Sequence, residues 1–106
     1  MATSIVSIYK FRLQTGVDEN QFLDISNKVQ EFLSAKRGFS YRSVSKSSDG
    51  EILDINYWSD DKALETLDAE FAEQEDCKRF LSMIDQPTLS VERSAVLLSG
   101  AATLEV

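Results

Sequence analysis

The sequence has 106 residues, of which 42% are hydrophobic and 27% charged, and its net charge is −7. A chain of this length forms one domain and buries about 60–70% of its extended surface, so it needs neither disulfides nor metals to hold a core. The acidic balance argues against nucleic acid or an anionic membrane as partner, since either requires a basic patch. No run reaches the length of a membrane span, and the N-terminus lacks a signal-peptide layout.

The residue types that are missing exclude several kinds of active site. There is no histidine, so a Ser-His-Asp triad, a Cys-His pair and histidine metal ligands are excluded. The four glycines stand singly, so no phosphate-binding loop is present. The single cysteine, Cys77, cannot form an internal disulfide, which predicts a reducing cytoplasm. We expect no metal site and no cofactor.

The N-terminal part of the chain predicts a strand followed by a helix. Residues 3–13 are rich in β-branched and aromatic residues and lack Gly and Pro, as is typical of a strand. Asp18 and Gln21 then form a predicted capping pair for a helix with apolar residues at helical spacing. We expect this helix to end near residues 36–37, because Gly38 follows.

The middle of the chain predicts a β-hairpin. Phe39–Lys46 and Ile52–Trp58 read as strands joined by a tight turn that contains Asp49 and Gly50. Glycine after aspartate supplies the positive φ that such turns require. On the second of these strands Leu53, Ile55 and Tyr57 alternate with Ile52, Asp54, Asn56 and Trp58. One set must face the helices, and the sequence leaves open which.

The C-terminal part predicts another helix and a last strand. Residues 59–61 give a helix-start signal, and the acidic run 73–76 interrupts the apolar pattern, so we expect a bend or a second short helix there. Pro87 ends the helical region, because the residue before a proline is pushed out of the helical conformation. Residues 89–98 read as the last strand, and residues 99–106 read as a C-terminal tail.

The predicted order, β-α-β-β-α-β, specifies a ferredoxin-like α+β fold. Two right-handed crossovers around a hairpin give a four-stranded antiparallel sheet with both helices on one face. We assign residues 1–98 to this single domain. The other sheet face carries apolar side chains with nothing to cover them, so we expect a homodimer that packs through this open sheet face.

Three segments, GFSYRSV, DGEILDINYWSDDKALETL and FAEQEDCKRFLSMID, resemble the antibiotic biosynthesis monooxygenase-like family of dimeric α+β barrels. In that family a strand ending in an aromatic-Trp pair precedes an acidic, Ala-containing helix and a second helical segment. The resemblance spans residues 5–98. The family includes cofactor-independent oxygenases of quinols and polyphenols, haem-degrading enzymes and members without assigned activity. The haem-degrading branch is disfavoured, because it relies on a histidine ligand.

The resemblance implies two catalytic candidates. Trp58 matches the family's tryptophan, and active members often place an asparagine near it on the pocket side. Asn56 fits that place, because strand side chains repeat their facing every two residues. We expect Asn56 to donate a hydrogen bond to a substrate oxygen and Trp58 to form an aromatic wall. Arg42 and Arg93 are candidate cations that would lower the pKa of a phenolic substrate.

The candidates for binding a small aromatic substrate are Tyr9, Arg42, Phe71 and Arg93. Structural roles compete with each assignment: the aromatic residues as core, Asn56 as a partner of the backbone, and the arginines as surface ion pairs. Three functions therefore stay open: a cofactor-independent monooxygenase, a non-catalytic binding protein, and a structural homodimer filled by its own phenylalanines. A cavity of about 300 Å³ or more would favour a ligand.

Overall fold

The computed structural model describes residues 4–100, which form four strands and three helices in the order β-α-β-β-α-α-β. The strands are β1 (Ile5–Leu13), β2 (Phe39–Lys46), β3 (Ile52–Trp58) and β4 (Ile84–Ala95), and the helices are α1 (Glu19–Ser34), α2 (Leu64–Glu73) and α3 (Glu75–Ser82). All strand pairs are antiparallel, in the order β2-β3-β1-β4. The predicted ferredoxin-like α+β fold is confirmed. None of the described helices is both long and apolar enough to cross a membrane.

The burial pattern of β3 shows which face of the sheet the helices cover. Every second residue is buried, namely Ile52, Asp54, Asn56 and Trp58, while the residues between them are half-buried. The covered set therefore includes an acid and an amide. The open face carries the apolar set of β3, joined by Val6 and Ile8 of β1.

Three phenylalanines from different elements build the centre of the core. Phe11 of β1, Phe22 of α1 and Phe80 of α3 are each at most 5% exposed. Their ring centroids lie 5.4 to 6.1 Å apart, a spacing at which aromatic pairs stabilise each other beyond their buried area. These side chains fix α1 and α3 against the sheet and fill part of the interior.

The hairpin between β2 and β3 has the predicted bounds and turn. Gly50 adopts φ +93°, and its N–H donates to the carbonyl oxygen of Ser47 at 3.0 Å. Arg12 of β1 secures the turn from outside: its Nη1 donates to the Asp49 carbonyl oxygen at 2.8 Å. Its Nη2 also pairs with the Asp49 carboxylate at 3.1 Å.

The ends of α1 differ from the prediction. Asp18 is the N-cap residue, but its carboxylate makes no capping hydrogen bond, so the predicted capping pair with Gln21 is wrong. The helix ends at Ser34, earlier than expected, because a turn closed by the Phe39 N–H on the Lys36 carbonyl must lead into β2. Gly38, with φ +91°, belongs to this turn.

The second helical region consists of two helices, α2 and α3, as the interruption of the apolar pattern at residues 73–76 predicted. Asp60 Oδ1 accepts a hydrogen bond from the Lys62 N–H at 2.9 Å and opens the 3-10 turn Asp61–Ala63, which leads into α2. Gln74 interrupts the helix in extended conformation, and its side chain accepts from the Cys77 N–H at 3.1 Å, which caps α3. The predicted second short helix is therefore α3.

The last strand starts earlier than predicted, at Ile84 rather than residue 89, and ends at Ala95 rather than 98. Pro87 does not prevent this, because β4 is an edge strand and the register against β1 shifts between Lys10 and Arg12, where a proline is tolerated. Residues 99–100 have no regular structure, and residues 101–106 of the predicted tail lie outside the described residues.

The turn glycine offers a test of the hairpin. In Gly50→Ala, an L side chain must adopt a left-handed conformation, so we expect a loss of about 1–2 kcal/mol in the free energy of unfolding. Gly50→Asn should cost less, since asparagine tolerates this region. Urea denaturation measures both, with Gly100→Ala as control, because a Cβ there meets no atom within 4 Å. If the free energy of unfolding of Gly50→Ala equals that of the wild type, the turn does not require a residue with positive φ.

Candidate functional site

An apolar cavity of about 240 Å³ lies between the helices and the covered face of the sheet. Its wall is mainly aliphatic and aromatic and includes Leu33, Leu67, Phe71, Phe80, Ile84 and Leu89. The polar side chains in the wall are those of Tyr9, Asp54, Asn56 and Asp68. The volume falls short of the predicted threshold of about 300 Å³. It nevertheless exceeds the roughly 150 Å³ at which an apolar cavity binds benzene, so one or two fused rings fit.

Asn56 and Trp58 lie side by side on β3 in the wall of this cavity. Trp58 is 2% exposed and packs edge-on against Phe39, with ring centroids 5.3 Å apart, so it is both a core residue and a wall of the cavity. The Asn56 Nδ2 donates to Asp54 Oδ1 at 3.4 Å. Its Oδ1 is buried and has no partner among the described residues. The unpaired atom is an acceptor, whereas the sequence led us to expect a donor.

A buried ion pair lies beside Asn56. The Arg42 guanidinium donates to both carboxylate oxygens of Asp54, at 2.9 and 3.1 Å, and both side chains are at most 6% exposed. Its remaining contacts reach α1, where the carbonyl and hydroxyl oxygens of Ser26 accept at 3.0 and 2.9 Å. The group also lies over the Phe80 ring. All three guanidinium nitrogens of Arg42 are thus bonded to protein groups, and Arg42 is not part of the cavity wall described above.

A row of four polar residues crosses the covered face of the sheet. Arg42 pairs with Asn56, Asn56 with Ser7 and Ser7 with Arg93, one residue from each strand. The Ser7 hydroxyl is fully buried and, like Asn56 Oδ1, lacks a partner within residues 4–100. A buried polar atom without a partner costs about 1–3 kcal/mol. Of these two residues only Asn56 belongs to the cavity wall, so only its oxygen is a candidate partner for a ligand in the cavity.

Arg93 stands at the rim of the cavity. Its Nη2 lies 3.4 Å from the Tyr9 hydroxyl and 3.3 Å from Asp68 Oδ1, and both partners line the cavity. It therefore connects β1 and β4 to α2. Partial burial opposes the charge, but the Tyr9 hydroxyl and Asp68 more than offset it and raise the pKa of Arg93, which keeps the cation charged.

The structure groups four of the predicted site residues and separates two. One cavity is lined by Tyr9, Asn56, Trp58 and Phe71. Arg93 contacts the Tyr9 hydroxyl at the rim of this cavity, whereas the Arg42 side chain forms the ion pair with Asp54. Sequence reasoning did not single out Asp54 or Ser7. The sequence does contain a pattern that points to Asp54, because Asp54 and Trp58 lie on the same face of the strand. If Trp58 is buried, Asp54 is buried too and needs a cation as its partner.

Cys77 is buried on α3 and is not suited to act as a nucleophile. Burial, together with the negative charge of the neighbouring Asp76, raises the pKa of its thiol to about 11. A thiol with such a pKa stays protonated at neutral pH, and only the thiolate is reactive. Among residues 4–100, no three Cys, Asp or Glu side chains are grouped so that they could hold a metal ion.

The Cys77 thiol predicts a loss of stability at alkaline pH. Above its ordinary pKa of 9.0, the thiol ionises in the unfolded chain but not in the folded one, whose pKa is about 11. The unfolded state therefore binds fewer protons, and the free energy of unfolding falls as pH rises from 9 towards 11. Urea midpoints at pH 8 and 10 should show a smaller decrease in Cys77→Ala than in wild type. Equal decreases would mean that the thiol ionises freely in the fold.

Known proteins resemble this chain in fold rather than in sequence. No protein-family model and no curated protein matches it. A variant of SnoaB, a cofactor-independent oxygenase from Streptomyces nogalater, matches with a TM-score of 0.67 and 14% identity over 95% of this chain and 96% of that chain. A Bordetella bronchiseptica protein provisionally described as an antibiotic biosynthesis monooxygenase matches with a TM-score of 0.72 and 17% identity. This match covers 91% of this chain and 99% of that chain.

A third similar structure is NE2512, a protein of unknown function from Nitrosomonas europaea, with a TM-score of 0.69 and 10% identity over 96% and 97% of the two chains. The chain therefore has the fold of the antibiotic biosynthesis monooxygenase-like proteins, as its sequence predicted. Because this fold occurs both in an oxygenase and in proteins without known function, activity has to be argued from the site.

Proposed function

We propose that this protein is a cofactor-independent monooxygenase that acts on a small hydroxylated aromatic compound of one or two fused rings. The observation that carries the proposal is the apolar cavity of about 240 Å³, whose wall contains Trp58, Phe71 and Asn56, a residue with a buried side-chain oxygen that has no partner among residues 4–100. An apolar cavity of this kind favours aromatic rings, and a polar group in its wall can fix their orientation. The fold shared with SnoaB supports the same activity.

The proposed reaction balances without an external reductant. A naphthol such as 1-naphthol takes up one O₂: one oxygen atom forms a new ring C=O in place of a C–H bond, and the other leaves as water. The naphthol loses four electrons and becomes 1,4-naphthoquinone, and O₂ accepts those four electrons. The substrate is the only electron donor that the reaction needs, so a reactive, electron-rich phenol is required.

The residues of the cavity have distinct parts in this scheme. Asn56 accepts the hydrogen bond of the substrate hydroxyl, while Trp58 and Phe71 enclose the rings. The positive charge of Arg93 at the rim stabilises the negative charge that O₂ acquires as the ring transfers electrons to it. Tyr9, bonded to Arg93, closes the wall between that cation and the interior.

Oxygen consumption tests the activity. With 1-naphthol we expect uptake of one O₂ per quinone formed, and with ¹⁸O₂ one labelled atom in the product by mass spectrometry. In Asn56→Ala the rate should fall at least about tenfold, because the hydrogen bond that orients the substrate is lost. Asn27→Ala, the same change on the exposed side of α1, should keep the wild-type rate. An absence of uptake above the protein-free rate across a panel of naphthols and quinols would contradict the proposal.

A non-catalytic binding protein is the second candidate. The two carboxylates in the cavity wall, Asp54 and Asp68, are both engaged by arginines, so neither is free to act as a base. This favours binding without turnover. Saturable binding of 1-naphthol by calorimetry, with no oxygen uptake in the same sample, would identify this function.

We further propose a homodimer formed through the open sheet face by a second copy of the chain. The centre of this face is apolar, with Ile8, Ile55 and Tyr57, and Tyr41 beside them is 57% exposed. Lys10 and Glu92 are exposed on the same face, so a two-fold arrangement can bring opposite charges together. A bare apolar sheet face of this kind is expected to pack against a partner.

Disruption of the open face tests the dimer. Ile55→Lys places a charge in the middle of the apolar patch, so light scattering should show the single-chain mass of 11.9 kDa instead of twice that value. Gln30→Lys, with the same charge on the exposed side of α1, should leave the dimer intact. A wild-type protein of single-chain mass at micromolar concentration would contradict the dimer.

A further inference from the structure

The hydrogen bonds around Arg42 form a continuous buried chain that ends at the cavity. They run from Ser26 of α1 to Arg42 of β2, then to Asp54 of β3, and finally to the Asn56 side-chain amide. Asp54 Oδ1 is the branching point, because it accepts from Arg42 Nε at 3.1 Å and from Asn56 Nδ2 at 3.4 Å.

This chain determines which end of the Asn56 amide is available. An ionised carboxylate only accepts hydrogen bonds, so Asp54 can face the NH₂ end of the amide but repels its oxygen. The bidentate contact with Arg42 fixes that carboxylate in place. The amide is thus held in one of its two orientations, and Oδ1 is the atom that has no partner within the described part of the chain.

We propose that Arg42 and Asp54 are positioning residues, which hold Nδ2 of the Asn56 amide so that Oδ1 remains the acceptor for a donor group of a ligand. A ligand is then selected for a hydroxyl or N–H donor at that point. This deepens the proposed function and rests on its use of the same cavity. It also gives Arg42 a role other than the direct substrate contact expected from the sequence.

A stabilising role alone does not account for the pair. Buried ion pairs are often replaced by apolar residues of similar volume without loss of stability, because the desolvation of two charges offsets their attraction. The placement of this pair is specific instead: the carboxylate lines the cavity and contacts the amide that lines it too. The pair thus acts on the chemistry of the cavity wall.

Three ligands of one ring system provide the test. Calorimetric titrations under anaerobic conditions compare 1-naphthol, which has a donor, with 1-methoxynaphthalene, which only accepts, and with naphthalene, which does neither. The wild-type protein should bind 1-naphthol about tenfold more tightly than either of the others. Equal affinities, or no binding of 1-naphthol, would overturn the proposal, because the amide would then not present a selective acceptor.

Two variants separate positioning from simple structural support. In Arg42→Met/Asp54→Leu the amide is free to turn, so the preference for 1-naphthol should fall to within about twofold while naphthalene still binds as in wild type. In the isosteric Asp54→Asn, the new amide can donate to Asn56 Oδ1, and the preference should fall as well. Whichever of the two retains native circular dichroism suffices, and a preference that persists in a folded variant would overturn the proposal.

A matched control removes a different ion pair. Lys36, in the turn after α1, pairs with Glu70 of α2 and does not contact Asn56, so Lys36→Met/Glu70→Leu should keep the tenfold preference. The readout is also independent of turnover. If 1-naphthol binds selectively but consumes no oxygen, the oxygenase fails and the positioning role stands. If oxygen is consumed but the preference survives loss of the pair, the positioning role alone fails.

Discussion

The burial of an acid in the middle of the sheet is the constraint on which the interior depends. Asp54 lies under the helices because the alternation of β3 that buries Ile52 and Trp58 also buries every residue between them on that face. A carboxylate in such surroundings has to be paired. Arg42, one strand away, supplies the charge, and its remaining donors bind Ser26. One ion pair thereby connects the hairpin to α1 and sets the polar end of a cavity that is otherwise apolar.

The cavity survives because the core residues fill only part of the space between sheet and helices. Phe11, Phe22 and Phe80 pack closely on one another, while α2 contributes a single buried side chain, Leu67. Arg93 and its partners connect α2 to the sheet by polar contacts at the rim. The interior thus has a closely packed part, which stabilises the fold, and a cavity, which is large enough for a small ligand.

Much of this arrangement follows from local sequence patterns, and the remainder depends on contacts between distant residues. The hairpin, the break before α3 and the element order were predictable, because turn glycines, caps and apolar periodicity act within a few residues. The start of β4 was not, since a proline is acceptable only on an edge strand beside a shift in register, and that is a property of the assembled sheet. The sequence predicted that Arg42 contacts a ligand, because its partner Asp54 could not be identified before it was known which face of β3 the helices cover.

Pro87 also limits how copies of this protein can associate. An exposed edge strand offers free backbone groups on which another chain can add a strand, which is the first step towards aggregation. On β4 the proline lacks an N–H, and the shift in register beside it interrupts the regular ladder. Addition of a strand is therefore disfavoured along the first half of β4, without any loss of the apolar surface on the face of the sheet.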